Sequence, residues 1–194
     1  DLALDVTRVG LRREAAGRLR HAEVDELRRA IRRDENILWR DVAMHDAERL
    51  AVLRYEFRAA VNEASEDRAA FVSRSREWMA SRLQDGGAWR CWVADEAGRI
   101  VGHLWLQLIE KVPNPAPELE RHAYITNVYV DPSARGDGLG ERLLEAALAF
   151  CQEERVDSAI LWPTEKSRTL YARHGFVEPH DIMEAVLDPG RDLH

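Results

Sequence analysis

Apolar residues recur at every third or fourth position along two stretches in the first half of the chain, a spacing typical of amphipathic helices. The first stretch runs from His45 to about Asn62 and the second from about Asp67 to Gln84. We expect Ser65 to cap the second helix and Gly86-Gly87 to end it. The apolar stripes are Leu50, Leu53, Phe57 and Val61 in the first helix and Phe71, Trp78, Met79 and Leu83 in the second.

Strand-forming residues dominate the segments on either side of these helices. Ile37–Val42 is predicted as a first strand. Trp89–Asp95 and Ile100–Ile109 are predicted as a hairpin, because Glu96-Ala97-Gly98-Arg99 between them places a glycine where a tight turn needs one.

The second half of the chain alternates strands and helices after one long loop. Lys111–Arg121 contains three prolines and is therefore predicted as a loop, and loops of this length are often functional. Tyr124–Val130 is the next strand, and Asp131-Pro132 stops it. The remaining predicted elements are a helix from Gly138 to about Glu153, a strand at Ser158–Trp162, a short helix at Ser167–His174 and a final strand near Ile182–Leu187.

This order of elements is a mixed α/β layout, in which an antiparallel front half leads into a βαβ-like back half. Residues 1–36 stand apart from it as an N-terminal extension, and residues 37–190 form the main domain. Within the extension, Val24, Leu27 and Ile31 fall at helical spacing among many charges. We expect this helix to pack on the main domain or on the partner in a homodimer. A remnant of a DNA-binding helix is the alternative.

Composition and charge narrow the class of protein. Apolar residues make up 45% of the 194 residues, so a real core can form and a disordered chain is excluded. The formal net charge is -7, which disfavours a nucleic-acid partner and suits cationic acceptors such as amines. Apolar runs are too short to cross a bilayer, and Cys91 and Cys151 lie in apolar segments as in reduced proteins, so we expect a cytoplasmic protein with neither a membrane nor a metal partner.

The segment Arg135–Gly140 carries the sharpest local signal, because three glycines in it stand between a strand and a strongly amphipathic helix. Glycines let the backbone curl so that several N–H groups point into one concavity. The dipole of the following helix adds partial positive charge at the same place. Together these features predict a site for a phosphate or pyrophosphate.

Two other phosphate-binding motifs fail at this loop. A P-loop requires Lys-Ser/Thr after its last glycine, whereas Glu141-Arg142 follow here. A dinucleotide-binding fingerprint that starts at Gly136 requires a third glycine where Glu141 stands. A purely structural turn is the remaining alternative.

The run VYVDPSARGDGLGERLLEAALAF resembles the acetyl-CoA-binding signature of the GCN5-related N-acetyltransferases (GNAT), whose loop reads Arg/Gln-x-x-Gly-x-Gly/Ala. Arg135, Gly138 and Gly140 fit that loop. Downstream, LYARHGF resembles the second landmark of the family, a Leu-Tyr pair followed by Gly-Phe. The resemblance covers about Ile37 to Leu187. It implies an α/β (α+β) fold with a mixed, mostly antiparallel twisted sheet flanked by helices, here with an extra N-terminal helical segment.

The resemblance also implies the cofactor, acetyl-CoA, and the residues that hold it. The pyrophosphate would lie on the loop, and the pantetheine arm would pair with the preceding strand. The family has an asparagine seven residues before its tyrosine, where this chain has Thr164. The cofactor-binding residues expected on this basis are Val128, Tyr129, Val130, Arg135, Gly136, Asp137, Gly138, Leu139, Gly140, Thr164, Ser167 and Arg168.

Acetyl transfer from a thioester to an amine requires a neutral amine, a stabilised oxyanion and a proton for the departing thiolate. Tyr171 is the candidate acid, because a phenol with a pKa near ~10 can protonate a thiolate whose thiol has a pKa near ~8.5. A backbone N–H near Val128 is the candidate oxyanion donor. For the base, Thr126 or Asn127 is a candidate to orient a relaying water. Glu110 and Glu56 are the alternative candidates, but both of them, like His122 and His174, are better explained as surface residues.

The acceptor is expected to bind against the first two helices. Arg54, Tyr55, Phe57 and Trp105, together with the proline loop, are the expected lining. Aromatic residues at helical spacing more often lie in the core, and this is the interpretation favoured for Phe57 and Trp78. The predicted enzyme is thus an N-acetyltransferase that acts on a small-molecule or peptide amine. The alternatives are a catalytically silent acyl-CoA-binding module and a regulatory protein on the same fold.

Overall fold

The computed structural model describes seven stretches of the chain, which fall into two units. One unit takes in the described residues up to Trp162, and the other takes in those from Pro163 onward. The predicted extension over residues 1–36 lies outside the described residues. The described stretches are residues 37–38, 44–60, 65–83, 87–115, 119–178, 182–185 and 187.

Two helices, α1 (Met44–Ala59) and α2 (Arg68–Arg82), lie where the apolar periodicity predicts them. The cap of α2 is Asp67, whose carboxylate accepts hydrogen bonds from the backbone N–H groups of Ala69 at 3.0 Å and Ala70 at 3.1 Å. The prediction of Ser65 as the cap is therefore wrong. Asp67 directly precedes the first helical residue, and only from that position does a short side chain reach the second and third helical N–H groups.

The larger unit contains a five-stranded sheet in the order β1-β2-β3-β4-β5. The three pairings from β1 to β4 are antiparallel and the β4–β5 pairing is parallel, which confirms the predicted mixed, mostly antiparallel sheet. The strands are β1 (Ile37–Leu38), β2 (Trp89–Glu96), β3 (Arg99–Glu110), β4 (Arg121–Val130) and β5 (Ser158–Ile160).

The hairpin between β2 and β3 closes through Ala97 and Gly98, whose φ angles of 52° and 85° are both left-handed. Two left-handed central residues make the turn whose twist matches that of antiparallel strands. The carboxylate of Asp95 accepts a hydrogen bond from the Gly98 N–H at 2.7 Å and holds the turn closed. The predicted hairpin is confirmed.

Helices cover both faces of this sheet. Neighbouring residues of a strand point to opposite faces, so each strand contributes side chains to the packing on both sides. On β2, Cys91 and Val93 join the core cluster of α1, whereas Trp92 meets Phe150 of helix α3 (Leu139–Glu153) with ring centroids 5.4 Å apart. Both cysteines are buried and unpaired, as their sequence context predicts. None of the described helices is long and apolar enough to cross a membrane.

The smaller unit contains a 3-10 turn (Glu165–Ser167) that leads directly into the short helix α4 (Arg168–Arg173). The predicted strand near Ile182–Leu187 is wrong as far as the chain is described, because residues 182–185 and 187 are not in a strand. The side chains of Met183 and Leu187 are 94% and 91% exposed.

Candidate active site

Strands β4 and β5 separate early, and this leaves one edge of β4 open. Their parallel pairing covers only His122–Tyr124 and Ser158–Ile160. β4 continues for six further residues to Val130, and no described strand pairs with that edge beyond Tyr124. An unpaired edge offers backbone N–H and C=O groups to an extended ligand. Val128, Tyr129 and Val130, which the family resemblance predicts as cofactor contacts, lie on this open stretch.

A bulge interrupts the ladder between β3 and β4 beside the open edge. His103 pairs with Tyr129, but Trp105 pairs with Thr126, so both Asn127 and Val128 lie opposite a single residue of β3. Asn127 adopts a left-handed backbone conformation with a φ of 55°. Bulges of this kind re-aim side chains and leave the extra residue outside the regular ladder. The candidate oxyanion donor near Val128 therefore lies at an irregular point of the strand.

After β4, a 3-10 turn (Pro132–Ala134) and then the loop Arg135–Gly140 lead into α3. Gly136 and Gly138 have φ angles of 108° and 74°, and a Cβ at either would meet no atom within 4 Å. Backbone conformation, rather than lack of space, therefore requires glycine at these two positions. Gly138 caps α3 without any side-chain hydrogen bond. The side chain of the capping residue therefore satisfies none of the first N–H groups of α3, as at many helix starts that bind phosphate.

Three other loop residues hold the start of α3 in place. Leu139 is buried, and the backbone carbonyl of the exposed Asp137 accepts a hydrogen bond from Arg142 Nη2 at 3.3 Å. Arg135 Nε donates to the Val130 carbonyl at 2.9 Å, and its guanidinium lies 5.8 Å from the centroid of the Tyr129 ring. Arg135 thus ties the loop to β4, and its Nε is already engaged.

A cavity of 390 Å³ opens between α1, α2 and the sheet on the side that carries the bulge. Its size is that of a small-molecule site. Arg54, Trp105 and Asn127, three of the residues singled out from the sequence, meet in its wall. The described lining residues are Arg54, Phe71, Arg74, Ser75, Trp78, Met79, Trp89, Trp105, Tyr124, Thr126 and Asn127.

Three tryptophans form one wall of this cavity. The ring centroids of Trp78 and Trp89 are 5.2 Å apart, those of Trp78 and Trp105 are 5.8 Å apart, and those of Trp89 and Trp105 are 6.2 Å apart. Mutual edge and tilted contacts of this kind fix the rings relative to one another. The wall is therefore a rigid apolar surface.

Arg54 places a positive charge in the opposite, polar part of the lining. Its Nη1 donates to Asn127 Oδ1 at 2.9 Å, and its guanidinium lies 5.7 Å from the centroid of the Phe57 ring. Burial lowers the pKa of Arg54, and the positive charge of Arg58 lowers it further. No carboxylate in the described part of the chain forms an ion pair with it.

The structure changes the list of lining residues expected from the sequence. Tyr55 and Phe57 are not in the described lining, because Tyr55 packs on Phe71 at 5.6 Å and Phe57 packs on Tyr129 at 5.3 Å. Trp78 was expected in the core but is 39% exposed and faces the cavity, so that prediction is wrong. The sequence also missed Arg74, Ser75, Trp89 and Tyr124 as lining, and the only signal for the wall was the high count of six tryptophans.

The smaller unit carries the predicted acid. Tyr171 lies in α4, is buried, and packs edge-on against Phe176 with ring centroids 5.7 Å apart. Burial raises the pKa of Tyr171 and outweighs the opposing effect of Ser167 beside it. The phenol is therefore protonated throughout the neutral pH range, which is the state that a general acid requires.

Three more residues assigned to the cofactor precede Tyr171, and all three interact with near neighbours in the chain. The backbone N–H of Thr164 donates to Ser167 Oγ at 2.9 Å, and this closes the 3-10 turn. Arg168 Nε donates to Glu165 at 3.0 Å, and Arg168 also pairs with Glu178. A phosphate at Arg168 would have to compete with these two carboxylates.

Known proteins resemble this chain in sequence and in fold. A curated relative, the mycothiol acetyltransferase of Salinispora tropica, is 34% identical over 86 residues, which are 42% of this chain. The match spans about a quarter (26%) of the length of that relative.

Two solved structures cover most of this chain. The GCN5-related N-acetyltransferase of Ralstonia eutropha JMP134 is 32% identical with a TM-score of 0.62, over 77% of this chain and 98% of its own. A predicted acetyltransferase of Clostridium acetobutylicum, solved with acetyl-CoA, has a TM-score of 0.64 at 20% identity, over 78% of this chain and 96% of its own. The sequence model of the Acetyltransferase (GNAT) family matches residues 54–176, well over half of the chain. The chain therefore belongs to the Acetyltransferase (GNAT) family.

Proposed function

We propose that this protein is an acetyl-CoA-dependent N-acetyltransferase, which moves the acetyl group from the CoA thioester directly to a primary amine. One observation carries the proposal: the unpaired edge of β4 is followed, after one 3-10 turn, by a glycine loop whose Gly138 caps α3 without a side-chain hydrogen bond. A cofactor with an extended pantetheine arm and a pyrophosphate at one end fits these features in order. The open edge of β4 would hydrogen-bond with the arm, and the N-terminus of α3 would bind the pyrophosphate.

The cofactor would lie along β4 with its thioester end toward the bulge. Val128, Tyr129 and Val130 would pair with the pantetheine arm, and the N–H groups at Gly138, Leu139 and Gly140 would hold the pyrophosphate. The fit is supported by the left-handed φ angles of Gly136 and Gly138, which open the loop without a side chain in the way. Thr164, Ser167 and Arg168 are proposed as further contacts on the family resemblance alone.

In the transfer, the amine lone pair attacks the thioester carbonyl, so that an N–C bond forms and the C–S bond breaks. A backbone N–H at the Asn127–Val128 bulge would donate to the carbonyl oxygen as its negative charge develops. Tyr171 would then give its proton to the departing thiolate, and the amine nitrogen would lose one proton to water. Protons balance, because water returns a proton to the phenolate.

The residues near the cavity favour a water as the proton acceptor of the amine. No carboxylate is present in the described lining, and Glu56 lies instead beside Arg49, at 4.0 Å. Glu110 is exposed at the end of β3. Asn127 and Thr126 do line the cavity and would position such a water.

A panel of primary amines, assayed for release of free CoA thiol from acetyl-CoA, tests the proposal. We expect thiol release that depends on both an amine and the enzyme, with an equal amount of N-acetylated product by mass spectrometry. Tight acetyl-CoA binding without thiol release, across amines of every charge and size, would instead identify a silent acyl-CoA-binding module.

A further inference from the structure

The cavity differs in charge from the molecule that contains it. The chain has 35 acidic residues and a formal net charge of -7, yet no aspartate or glutamate is present among the described lining residues. Two arginines line the cavity. Arg74 forms an ion pair with Glu66 at 2.6 Å on the surface, so a carboxylate already engages it.

Arg54 is the lining cation whose charge is not balanced by a described carboxylate. Its hydrogen-bond partner, the amide oxygen of Asn127, is neutral, and burial lowers the pKa of its guanidinium. Arginine stays charged even in such surroundings. The cavity wall therefore contains a partly buried positive charge with spare N–H donors. A planar guanidinium of this kind binds carboxylate or phosphate with two parallel hydrogen bonds.

The rest of the lining fits the body of a ligand rather than its charge. Trp78, Trp89 and Trp105 form a rigid apolar wall, and Phe71 and Met79 extend it. Aromatic faces of this extent favour a flat apolar group. The cavity thus combines one anion-binding group with one aromatic wall.

We infer that the acceptor is a primary amine that carries an anionic group, a carboxylate or a phosphate, on an apolar and preferably aromatic body. The inference rests on the proposed acetyl transfer and assigns Arg54 as the residue that selects the anion. A cationic polyamine is disfavoured, because Arg54 repels it and no described lining carboxylate offsets that repulsion. The acidic surface charge therefore does not indicate the charge of the acceptor.

Matched amines of one shape test this inference through kcat/KM for thiol release at one fixed pH. We expect para-(aminomethyl)benzoate to exceed para-(aminomethyl)benzamide by roughly ten- to a hundredfold, as for loss of a charge-assisted hydrogen bond. The diamine para-bis(aminomethyl)benzene should be no better than the amide. A further substrate, para-(aminomethyl)phenyl phosphate, distinguishes the two anions. Whichever of the phosphate and the benzoate has the higher kcat/KM carries the anionic group that the cavity selects.

Arg54→Gln should remove most of the preference for benzoate over benzamide. Arg58→Gln is the matched control: it deletes the same charge one turn further along α1, at an exposed residue outside the described lining. The control should keep the preference, because an exposed charge is screened by solvent. Thermal melts of both variants confirm that they are folded.

A binding measurement separates failure of the inference from failure of the proposed activity. Quenching or enhancement of tryptophan fluorescence by para-toluate, which has no amine, should report binding to the wild-type protein and be weakened about tenfold or more in Arg54→Gln. Equal turnover of benzoate and benzamide would overturn the inference and leave the acetyltransferase standing. Absence of acetylation of every amine would contradict the activity and, with it, the assignment of an acceptor.

Discussion

Among single residues, the proposed chemistry depends most on the proton of Tyr171. Because burial raises the pKa of this phenol above its usual value, the acid form persists across neutral and mildly alkaline pH. We expect Tyr171→Phe to lower kcat about a hundredfold, the lower end for loss of a general acid, with little change in KM for acetyl-CoA. Steady-state thiol release at saturating amine measures both constants.

The pH profile provides a check that mere loss of structure would not reproduce. In the wild-type protein, any decline of kcat through ionisation of Tyr171 must lie above pH ~10, because the pKa is raised. The phenylalanine variant keeps the ring that packs on Phe176, so its melting temperature should stay close to that of the wild type. An unchanged kcat in the variant would reject Tyr171 as the acid.

Asn127 combines a left-handed backbone with a hydrogen bond to Arg54, and two substitutions separate these contributions. Both Asn127→Gly and Asn127→Ala delete the side-chain hydrogen bond, but only glycine accepts a φ of 55° without strain. We expect the alanine variant to have a free energy of unfolding about 1 kcal/mol below that of the glycine variant. Urea titration measures the difference, and equal values would show that the bulge relaxes without strain.

At the scale of elements, the loop before α3 offers a comparison between two glycines. Gly138 has a φ of 74°, so Gly138→Ala should lower the free energy of unfolding by about 1–2 kcal/mol and raise KM for acetyl-CoA as the loop deforms.

Gly140 provides the contrast within the same loop. It lies in the first turn of α3 without a left-handed φ, and a Cβ there would lie 3.8 Å from Val130, an ordinary contact. Gly140→Ala should therefore unfold at the same or a higher urea concentration, because alanine is the better helix former. If both variants lose the same free energy of unfolding, steric contact of the added Cβ, rather than backbone conformation, is the reason that glycine is required at these positions.

The elements that the sequence predicts well are those whose signal is local. Apolar periodicity predicts α1, α2 and α3 to within a few residues, and a glycine at the right place predicts the β2–β3 turn. The features it misses depend on tertiary partners. No periodicity reveals that β4 gains a residue at Asn127, since the register is set by β3 across the ladder.

The aromatic wall of the cavity is likewise not predicted from the sequence, because it depends on tertiary partners. Trp78 falls on the apolar stripe of α2, and a helical stripe does not tell which of its members reach the core and which stop at a cavity. Trp78 lies beside Trp89 and Trp105 only because β2 and β3 bring the latter two together in space. Arg54 and Trp105 were found because the family resemblance says which elements enclose the acceptor.

At the scale of the whole molecule, a buried neutral histidine makes the stability of the larger unit dependent on pH. His103 is fully buried in β3, and burial lowers its pKa to about 3. The side chain of Asn127 opposes this effect, and the positive charges of Arg54 and Arg49 reinforce it. In the unfolded chain its pKa is near ~6.5. Below that pH the unfolded state binds a proton that the folded state does not, so acid favours unfolding.

Comparison of the wild type with His103→Leu isolates this contribution from all other titrating groups. Between pH 7 and 5, the wild type should lose about 2 kcal/mol more of its free energy of unfolding than the variant does, with a slope that approaches about 1.4 kcal/mol per pH unit below pH ~6. Above pH ~7 the difference between the two proteins should be constant, since the imidazole is then neutral in both states. Urea titrations across this range measure both slopes. If the free energies of unfolding of the two proteins instead fall in parallel from pH 7 to 5, His103 also gains a proton in the folded protein. That outcome would contradict the burial of its imidazole.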